Sequence, residues 1–429
     1  MEKNEMISLM HKLFPICRSI TGDGVRQTLK ILQDLVPLNI IEVPTGTQVF
    51  DWTVPKEWNI NDAYIKNSKG EKIVDFKKSN LHVVSYSTPV NKKVSLIELK
   101  KNLFTYPELP DAIPYITSYY KENWGFCISH HQMGQLKEDT YEVVIDSSLK
   151  EGHLTYGEYV IQGQTKEEVL VTCYICHPSM CNDSLSGVVV VAKVAQALIK
   201  KFNKKPRYTY RFLFIPETIG AITWLSRNKD KVTNISHGLV ITCIGDSQRL
   251  TYKRSRRGNA QIDKIMENVL KDEQVPHAVV DFFPNGSDER QFCSPGFNLP
   301  VGSLMRTAYG KYPEYHSSAD DFSVVSEESL AGAVNVLLKA IDVIELNRVY
   351  VNCNPYCEPN LGKRNLYPVT GAGKKKSVQL DAIKWTLNFS DGQHDVVDIA
   401  IRSGLSIFDI AAVIPLLLDA GLLRESNQL

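Results

Sequence analysis

The sequence predicts an α/β protein in which a mixed sheet is flanked by helices, with a small all-β domain inserted and a winged helix at the carboxyl end. Strand-like and helix-like apolar patterns alternate over residues 152–346, which is typical of a layered α/β sheet. Short β-type runs separated by Pro, Asn and Gly turns fill residues 51–148. Three short helical patterns follow residue 377, with the size and spacing of a winged helix.

The predicted domain limits follow from these changes in sequence pattern. An opening helix is predicted over residues 7–35 and a strand over 39–43. If these belong to the main sheet, residues 1–50 and 152–350 form one α/β domain, and residues 51–151 are a β-rich insertion into it. Residues 371–376 (Gly-Ala-Gly-Lys-Lys-Lys) read as a linker, so residues 351–429 comprise a linker and the winged helix.

The elements of the α/β domain are predicted from their apolar runs. The predicted strands are 169–175, 208–215, 239–244, 278–282 and 299–305. The predicted helices are 184–200, 219–229, 259–271 and 327–346.

Composition excludes several classes of protein. The chain has 429 residues, of which 43% are hydrophobic and 23% charged, as in an ordinary globular protein of two or three domains. Its 49 Lys and Arg nearly cancel 48 Asp and Glu, so no net field favours nucleic acid or an anionic membrane. We expect a cytoplasmic protein with reduced thiols, because we see neither a signal peptide nor a membrane-length apolar run.

The segment 176–187 (Cys-His-Pro-Ser-Met-Cys-Asn-Asp-Ser-Leu-Ser-Gly) joins a predicted buried strand to a predicted helix. It presents His177 and, six residues on, Asp183. In open α/β sheets the crevice beyond the carboxyl ends of the strands is where ligands bind. Zinc accepts both nitrogen and oxygen ligands, so this elbow predicts a metal site. The alternative for Asp183 is an N-cap of the following helix.

Two further side chains fall on the same edge of the predicted sheet. Glu217 follows the strand 208–215, and His316 lies in a loop after the strand 299–305. A mono-zinc hydrolase needs three protein ligands and a carboxylate that acts as general base. We therefore assign His177, Asp183 and His316 as ligands and Glu217 as the base. The alternative for Glu217 is a first-turn carboxylate that the helix dipole favours.

Other polar residues near this edge are weaker candidates. Asp320 and Asp321 could hydrogen-bond and orient the His316 imidazole. A substrate anion could bind to Arg306 or to Arg254 in the basic loop 252–258, although a solvated surface cluster also explains that loop.

The order of the motifs resembles that of the zinc aminopeptidases of the bacterial leucyl-aminopeptidase and glutaminyl-cyclase type. The matching motifs are His177-Pro178-Ser179, Asn182-Asp183-Ser184-Leu185-Ser186-Gly187, Glu217-Thr218-Ile219-Gly220, Thr242-Cys243-Ile244-Gly245, Ser287-Asp288 and Tyr315-His316. The chain looks closest to a bacterial aminopeptidase-like group of unknown function. Members of that group carry a β-rich insert likened to a protease-associated domain and a carboxyl-terminal winged helix, and some are associated with polysaccharide biosynthesis.

Departures from the resembled family favour one zinc ion over two. Thr218 and Thr242 stand where the family has metal-binding carboxylates, and Ser179 replaces the Asp that orients the first His. Asp246 lies four residues from Thr242 and is a candidate for the lost ligand and for contact with substrate. Asp288, in the Ser-Asp motif, is a weak candidate for contact with substrate.

The resemblance implies a zinc-dependent aminopeptidase-like hydrolase that cleaves an amide in a peptide or amino-acyl substrate. Two alternatives stay open: an amide hydrolase or transferase of polysaccharide biosynthesis, and a non-catalytic zinc scaffold. The winged helix is expected to contact protein more readily than DNA, because residues 406–420 contain no Lys or Arg for phosphate contacts.

Overall fold

The computed structural model describes residues 5–367 and 378–426, so the predicted linker at 371–376 lies outside the described residues. The chain divides into two compact units. The first unit comprises Met1–Ile262 and Pro276–Asn335, and the second comprises Asp263–Val275 and Val336–Leu429.

The strands and helices are numbered in chain order. The strands are β1 (Asn39–Pro44), β2 (Gln48–Val49), β3 (Trp52–Thr53), β4 (Glu57–Lys66), β5 (Lys72–Asp75), β6 (Val90–Ser95), β7 (Leu103–Phe104), β8 (Phe126–Cys127), β9 (Thr140–Lys150), β10 (His153–Ile161), β11 (Glu168–Tyr174), β12 (Thr209–Ile215), β13 (Ile235–Ile241), β14 (Leu250–Lys253), β15 (His277–Val280), β16 (Val301–Met305), β17 (Val349–Asn352), β18 (Asp391–Asp395) and β19 (Leu423–Glu425). The helices are α1 (Glu5–Leu13), α2 (Asp23–Gln33), α3 (Leu96–Lys100), α4 (His130–Gly134), α5 (Gly187–Lys201), α6 (Ile219–Arg227), α7 (Gln261–Asp272), α8 (Glu289–Phe292), α9 (Glu327–Leu346), α10 (Val378–Phe389), α11 (Val396–Ser403) and α12 (Ile407–Asp419).

An eight-stranded mixed sheet forms the centre of the first unit, in the order β1-β10-β12-β11-β13-β16-β14-β15. Strand β11 pairs in parallel with β12 and β13, whereas β10 is antiparallel to both of its neighbours. Every residue of β11 is buried, as expected for a central strand covered on both faces. Helix α5 packs against β11, β12 and β13, and α2 packs against β10. The predicted mixed α/β sheet with flanking helices is confirmed.

Helix α5 and the turn before it form an apolar segment, Cys181–Lys201, that could span a membrane by length and composition alone. Because 78% of its most apolar window is buried against the rest of the protein, it has the character of a core helix.

A separate antiparallel sheet, in the order β5-β4-β9-β6, lies in sequence between β1 and β10. Strands β1 and β10 pair with each other through six residues, from Asn39 opposite Glu158 to Pro44 opposite His153. The chain therefore leaves the main sheet after β1 and returns to it at β10, so the intervening strands form an insertion. The short helices α3 and α4 also belong to this segment.

The single opening helix predicted for residues 7–35 is wrong. The structure has two helices, α1 and α2, separated at residues 14–22. Pro15 cannot continue the helix, because proline lacks the N–H that the helical hydrogen bond requires. The break also places Arg18 in the interior, where its Nε donates to the carbonyl of His177 at 2.9 Å and its Nη1 to that of Leu13 at 2.5 Å.

The second unit contains the three-stranded sheet β18-β17-β19 and the helices α10, α11 and α12. Asp395 caps α11 by accepting a hydrogen bond from the Asp398 N–H at 2.8 Å. Ser406 caps α12 in the same way, by accepting from the Phe408 N–H at 3.2 Å. This arrangement of three helices and a small sheet is the predicted winged helix.

Candidate metal centre

The loop between β11 and α5 positions the first two predicted ligands. After Tyr174 the chain leaves the sheet, passes His177, and enters a π-helical turn at Cys181–Ser186. Asp183 interrupts that turn with non-helical torsion angles (φ −108°, ψ 91°). Both His177 and Asp183 are buried, with side chains 5% and 1% exposed.

Asp320 fixes this loop from a neighbouring segment. Its carboxylate accepts hydrogen bonds from the backbone N–H groups of Asn182 at 2.6 Å and Asp183 at 2.9 Å. The same carboxylate accepts from the hydroxyl of Tyr312 at 3.1 Å, and among the described residues it has no hydrogen bond to the His316 imidazole that it was expected to orient. Asp321 accepts from the backbone and hydroxyl of Ser323, and it caps a local turn instead of orienting the imidazole.

The structure brings His177, Asp183 and His316 together, with one ligand atom from each lying within 4.8 Å of the others. Nε2 of His316 lies 3.0 Å from Oδ2 of Asp183, and Nε2 of His177 lies 3.9 Å from that same oxygen. In a tetrahedral zinc site with bonds of about 2.0–2.1 Å, neighbouring ligand atoms are about 3.3 Å apart. The donor set and its spacing therefore fit zinc.

The hydrogen bonding of these atoms supports the same interpretation. Oδ2 of Asp183 and Nε2 of His316 are both buried and have no hydrogen-bond partner among the described residues, although they lie close together. A buried polar atom without a partner costs about 1–3 kcal/mol. A cation shared by the two atoms would satisfy both of them.

Burial and neighbouring charges favour the protonation states that bind a metal. Burial lowers the pKa of His177 to about 4, so its imidazole is neutral near pH 7. Burial tends to raise the pKa of Asp183, but the adjacent His177 and His316 outweigh this effect and hold it at about 2. A neutral imidazole and an ionised carboxylate are the forms that ligate zinc.

Glu217 lies beside this cluster. It follows β12, and its Oε2 is 3.8 Å from Nε2 of His177. About a quarter of its side chain (24%) remains exposed, and it lines the cavity described below. Burial, followed by the charges of Asp288 and Asp183, raises its pKa well above the usual value. A carboxyl group of raised pKa next to a candidate metal centre has the chemistry of a proton acceptor and donor.

Tyr174 occupies the far side of Asp183. Its hydroxyl donates a hydrogen bond to Oδ1 of Asp183 and accepts one from Oγ1 of Thr242 at 2.6 Å. Thr242, which stands where the resembled family has a metal-binding carboxylate, is thus part of a neutral hydroxyl chain. Tyr174 was not predicted from sequence as a site residue, although it lies at the end of β11, where site residues are expected.

Cys176 joins the His177 loop to the Glu217 loop. Its Sγ lies 3.4 Å from Nδ1 of His177 and accepts a hydrogen bond from the backbone N–H of Glu217 at 3.2 Å. Metal-bound histidines usually donate their second N–H to an oxygen acceptor, whereas here the neighbour is sulfur. Ser179 donates to the carbonyl of Phe14 at 2.8 Å, so it does not substitute for the family carboxylate that orients His177.

The inserted segment forms part of the site. The N–H of Tyr115 donates to the carbonyl of His316 at 2.7 Å, and the Tyr115 ring lies 5.3 Å from each of the His177 and His316 rings. A cavity of about 310 Å³ opens above these residues. The residues that line it are Ile20, Trp52, Tyr115, Thr117, Tyr119, Tyr120, Cys176, His177, Glu217, Thr218, Arg290 and His316.

Arg290 and Thr218 form the wall of the cavity next to Glu217. Thr218 has a positive φ of 62°, a conformation that is unfavourable for a β-branched residue. It is held there by its N–H, which donates to Oδ1 of Asp288 at 2.7 Å, and by its Oγ1, which accepts from Arg290 at 2.8 Å. Asp288 is fully buried, and burial raises its pKa to about 7. Asp288 therefore supports the backbone after Glu217, and it is not among the cavity-lining residues.

The remaining candidates for substrate binding lie away from the cavity lining. Arg306 donates to the carbonyls of Ile244 at 3.2 Å, Gln248 at 2.5 Å and Ser329 at 3.1 Å, so it ties loops together. Arg254 forms an ion pair with Asp281 at 2.6 Å.

Asp246 also holds loops together. It accepts from the side-chain amide of Asn182 at 3.1 Å and from the backbone N–H groups of Thr307 at 3.1 Å and Gln248 at 2.8 Å. Arg290, which lines the cavity, was not predicted from sequence as a site residue, although it comes two positions after Asp288.

The mixed sheet and the cluster at its edge define an aminopeptidase-like protein. Residues 7–347 match the family described as a domain of unknown function (DUF4910), and the chain belongs to that family. Residues 348–425 match a winged helix-turn-helix family.

Relatives and solved structures agree with this assignment. A protein of Clostridium acetobutylicum, provisionally named a polysaccharide biosynthesis protein with aminopeptidase-like domain, is 57% identical over 401 residues, which are 94% of this chain and 92% of the relative. A crystal structure from the same organism, provisionally described as a peptidase, superposes with a TM-score of 0.92 at 53% identity and covers 99% of this chain and 96% of that one. The zinc aminopeptidase BSAP of Bacillus subtilis shares the fold, with a TM-score of 0.57 at 11% identity over 78% of this chain and 92% of that one.

Proposed function

We propose that this protein is a zinc-dependent hydrolase that cleaves an amide bond in a peptide or amino-acyl substrate. The observation that carries the proposal is the convergence of His177, Asp183 and His316 beside Glu217, at a cavity that His177, Glu217 and His316 help to line. The aminopeptidase-like fold and the name of the Clostridium relative support the reaction class.

In the proposed hydrolysis the zinc ion would activate the carbonyl and the water, and Glu217 transfers the proton. A zinc ion held by the three ligands would supply Lewis acidity at the substrate carbonyl and lower the pKa of water. Glu217 accepts a proton from the water that adds to the carbonyl carbon. Once the carbon–nitrogen bond breaks, Glu217 returns that proton to the leaving nitrogen, so the carboxylate is regenerated.

The surroundings of Asp183 favour one zinc ion per chain. Tyr174 engages Oδ1, so Oδ2 remains as the oxygen directed at the two imidazoles. Thr242 and Thr218 offer hydroxyls in place of carboxylates, and each hydroxyl already takes part in a hydrogen bond. A second divalent cation would therefore lack charged ligands at this position.

The proposal is tested by loading the purified protein with zinc and measuring hydrolysis of a panel of dipeptides and amino-acyl amides. Glu217→Gln is expected to keep the zinc and to lower kcat by at least about 100-fold. Glu108→Gln, at an exposed position, is the matched control and should keep full activity. Absence of zinc binding would refute the proposal, as would unchanged turnover in the Glu217→Gln variant.

A second candidate function is removal of an acyl group from an amino sugar. It is favoured by the aromatic wall of the cavity, where Trp52 and Tyr120 contact each other edge to face at 5.1 Å and are 37% and 58% exposed. The apolar face of a sugar ring packs well on such rings. The name of the Clostridium relative points in the same direction. N-acetylated amino sugars in the same panel separate the two candidates.

A further inference from the structure

We propose that Arg290 binds a carboxylate carried by the leaving amine of the substrate, so that the site selects amides such as a dipeptide with a free carboxyl end. This inference rests on the proposed function and specifies the substrate class of that site.

The charged residues that line the cavity favour binding of a substrate carboxylate. Among the described residues that line it, Arg290 is the one Lys or Arg, and Glu217 is the one Asp or Glu. If Glu217 serves as the proton acceptor, no second carboxylate of the lining remains to hold a substrate ammonium. The wall next to the base instead presents a guanidinium and the hydroxyl of Thr218.

Arg290 retains N–H donors that a ligand could use. Its Nη2 donates to Oγ1 of Thr218 at 2.8 Å, whereas its Nε is buried without a hydrogen-bond partner. No hydrogen bond joins it to a carboxylate among the described residues, although its positive charge acts on the nearby carboxyl groups of Glu217 and Asp288. A guanidinium has five N–H donors in a planar fork that matches a carboxylate. Because the guanidinium donates to the Thr218 hydroxyl and to neither of these carboxyl groups, donors of its fork remain for one carboxylate of a ligand.

The position of the Arg290 guanidinium relative to Glu217 also supports the assignment. The hydroxyl that Arg290 contacts belongs to the residue directly after Glu217. Because Glu217 returns a proton to the leaving nitrogen in the proposed reaction, the guanidinium lies on the side of the leaving amine. A carboxylate on the carbon next to that nitrogen is the nearest anionic group that a peptide-like substrate can offer there. The buried Asp288 holds the backbone of Thr218, which fixes this geometry.

The test measures binding, so that it does not depend on turnover. Zinc-loaded Glu217→Gln protein is titrated by calorimetry with the dipeptide Leu-Ala and with its carboxyl-terminal amide, which has nearly the same shape and the same ammonium group but no carboxylate. We expect the dipeptide to bind at least about 10-fold more tightly than the amide, because charge-assisted hydrogen bonds are strong in a partly buried site.

Variants at the arginine then identify the group responsible. Adding Arg290→Gln should remove the preference, and adding Arg290→Lys should keep part of it. Adding Arg249→Gln, at an exposed arginine outside the cavity lining, should leave it intact. If the protein with Arg290→Gln still prefers the dipeptide over its amide, the assignment is overturned. It is also overturned if the Glu217→Gln parent protein binds the two peptides equally or binds neither.

Hydrolysis by the otherwise unmodified enzyme separates this inference from the proposed function. If binding shows the Arg290-dependent preference while neither peptide is hydrolysed, the carboxylate site stands and the proposed reaction is wrong. If both peptides are hydrolysed at the same kcat/KM and Arg290→Gln changes neither rate, the reaction stands and the carboxylate site is wrong.

Discussion

Tyr174 donates a hydrogen bond from its hydroxyl to Oδ1 of Asp183, and this contact leaves Oδ2 as the oxygen that faces His177 and His316. A carboxylate that bridges two cations needs both oxygens free. On the proposed function, a second cation at Oδ1 would have to displace this uncharged hydroxyl. Thr242 completes the arrangement by donating to the same hydroxyl.

Tyr174→Phe removes this hydroxyl while keeping the ring. We expect the zinc content to stay at one ion per chain, because the variant creates no new ligand. The free energy of unfolding of the metal-free protein should fall by about 1–3 kcal/mol, since Oδ1 of Asp183 loses its donor in a buried position. Metal analysis and urea denaturation measure the two quantities.

Tyr159→Phe is the control for loss of a tyrosine hydroxyl. Tyr159 stacks on Phe212 in the same sheet, and its hydroxyl makes no hydrogen bond among the described residues. Its removal should change stability by less than about 0.5 kcal/mol. A content of two zinc ions in Tyr174→Phe would show that the hydroxyl alone excludes the second ion, and would contradict the role given to Thr242.

The main elements of the fold could be predicted because their apolar runs are long and unambiguous. Helix α9 was predicted over 327–346 and is observed at Glu327–Leu346. The strand predicted over 239–244 is observed at Ile235–Ile241, because polar residues at 236 and 237 hid the start of a buried strand. The prediction of a single opening helix was wrong for another reason. The break at residues 14–22 contains a buried arginine, and the periodicity of apolar residues gives no sign of it.

The site was predictable where residue type and position at a strand end coincide, as for His177 and Glu217. The partners of the side chains could not be read from sequence, because hydrogen bonds join segments far apart in the chain. Asp320 is adjacent to the His316 loop in sequence, yet its carboxylate binds the backbone 137 and 138 residues away. Arg306 was a reasonable anion ligand by type, but three backbone carbonyls already occupy its donors.

Asp320→Asn tests the support of the metal-binding loop. Asparagine keeps the shape, but its amide group can accept from only one of the two N–H groups that Asp320 now holds. We expect zinc affinity, measured by competition with a chelator, to fall by about 10–100-fold. Asp321→Asn, at the neighbouring acid that caps a local turn, is the matched control and should keep the affinity. Equal losses in the two variants would refute a specific role for Asp320.

His237, in the central strand β13, predicts a pH dependence of stability away from the metal cluster. Burial, followed by the charge of Arg207, lowers its pKa to about 4. Its value in the unfolded chain is about 6.5, so below that pH the unfolded state binds the extra proton. The stabilising contribution is therefore complete above pH 6.5 and is lost as the pH falls toward 4, by up to about 3 kcal/mol.

The measurement is urea denaturation of the metal-free protein between pH 7 and pH 4. The wild type should lose more stability over this range than His237→Asn, which has no titrating group at this position. His131→Asn, at an exposed histidine that pairs with Asp111, is the control for removal of a histidine and should follow the wild-type curve. Parallel curves for wild type and His237→Asn would contradict the assignment.

Gly187 tests how closely the metal-binding turn must approach the sheet. It is the first residue of α5, and a Cβ at this position would lie 2.3 Å from the carbonyl oxygen of Ile241 in β13. Because the atoms that this Cβ would meet belong to the backbone of Ile241 and Thr242, they cannot rotate away, and Gly187→Ala should destabilise the protein by about 1–3 kcal/mol or more. Gly134→Ala, in helix α4 where nothing lies within 4 Å, should be neutral or stabilising by about 0.4–1 kcal/mol.

Since Asp183 belongs to the turn directly before Gly187, the displaced helix in Gly187→Ala should also weaken zinc binding. Unchanged stability and zinc affinity in Gly187→Ala would mean that the turn moves freely, and would contradict a preorganised metal centre.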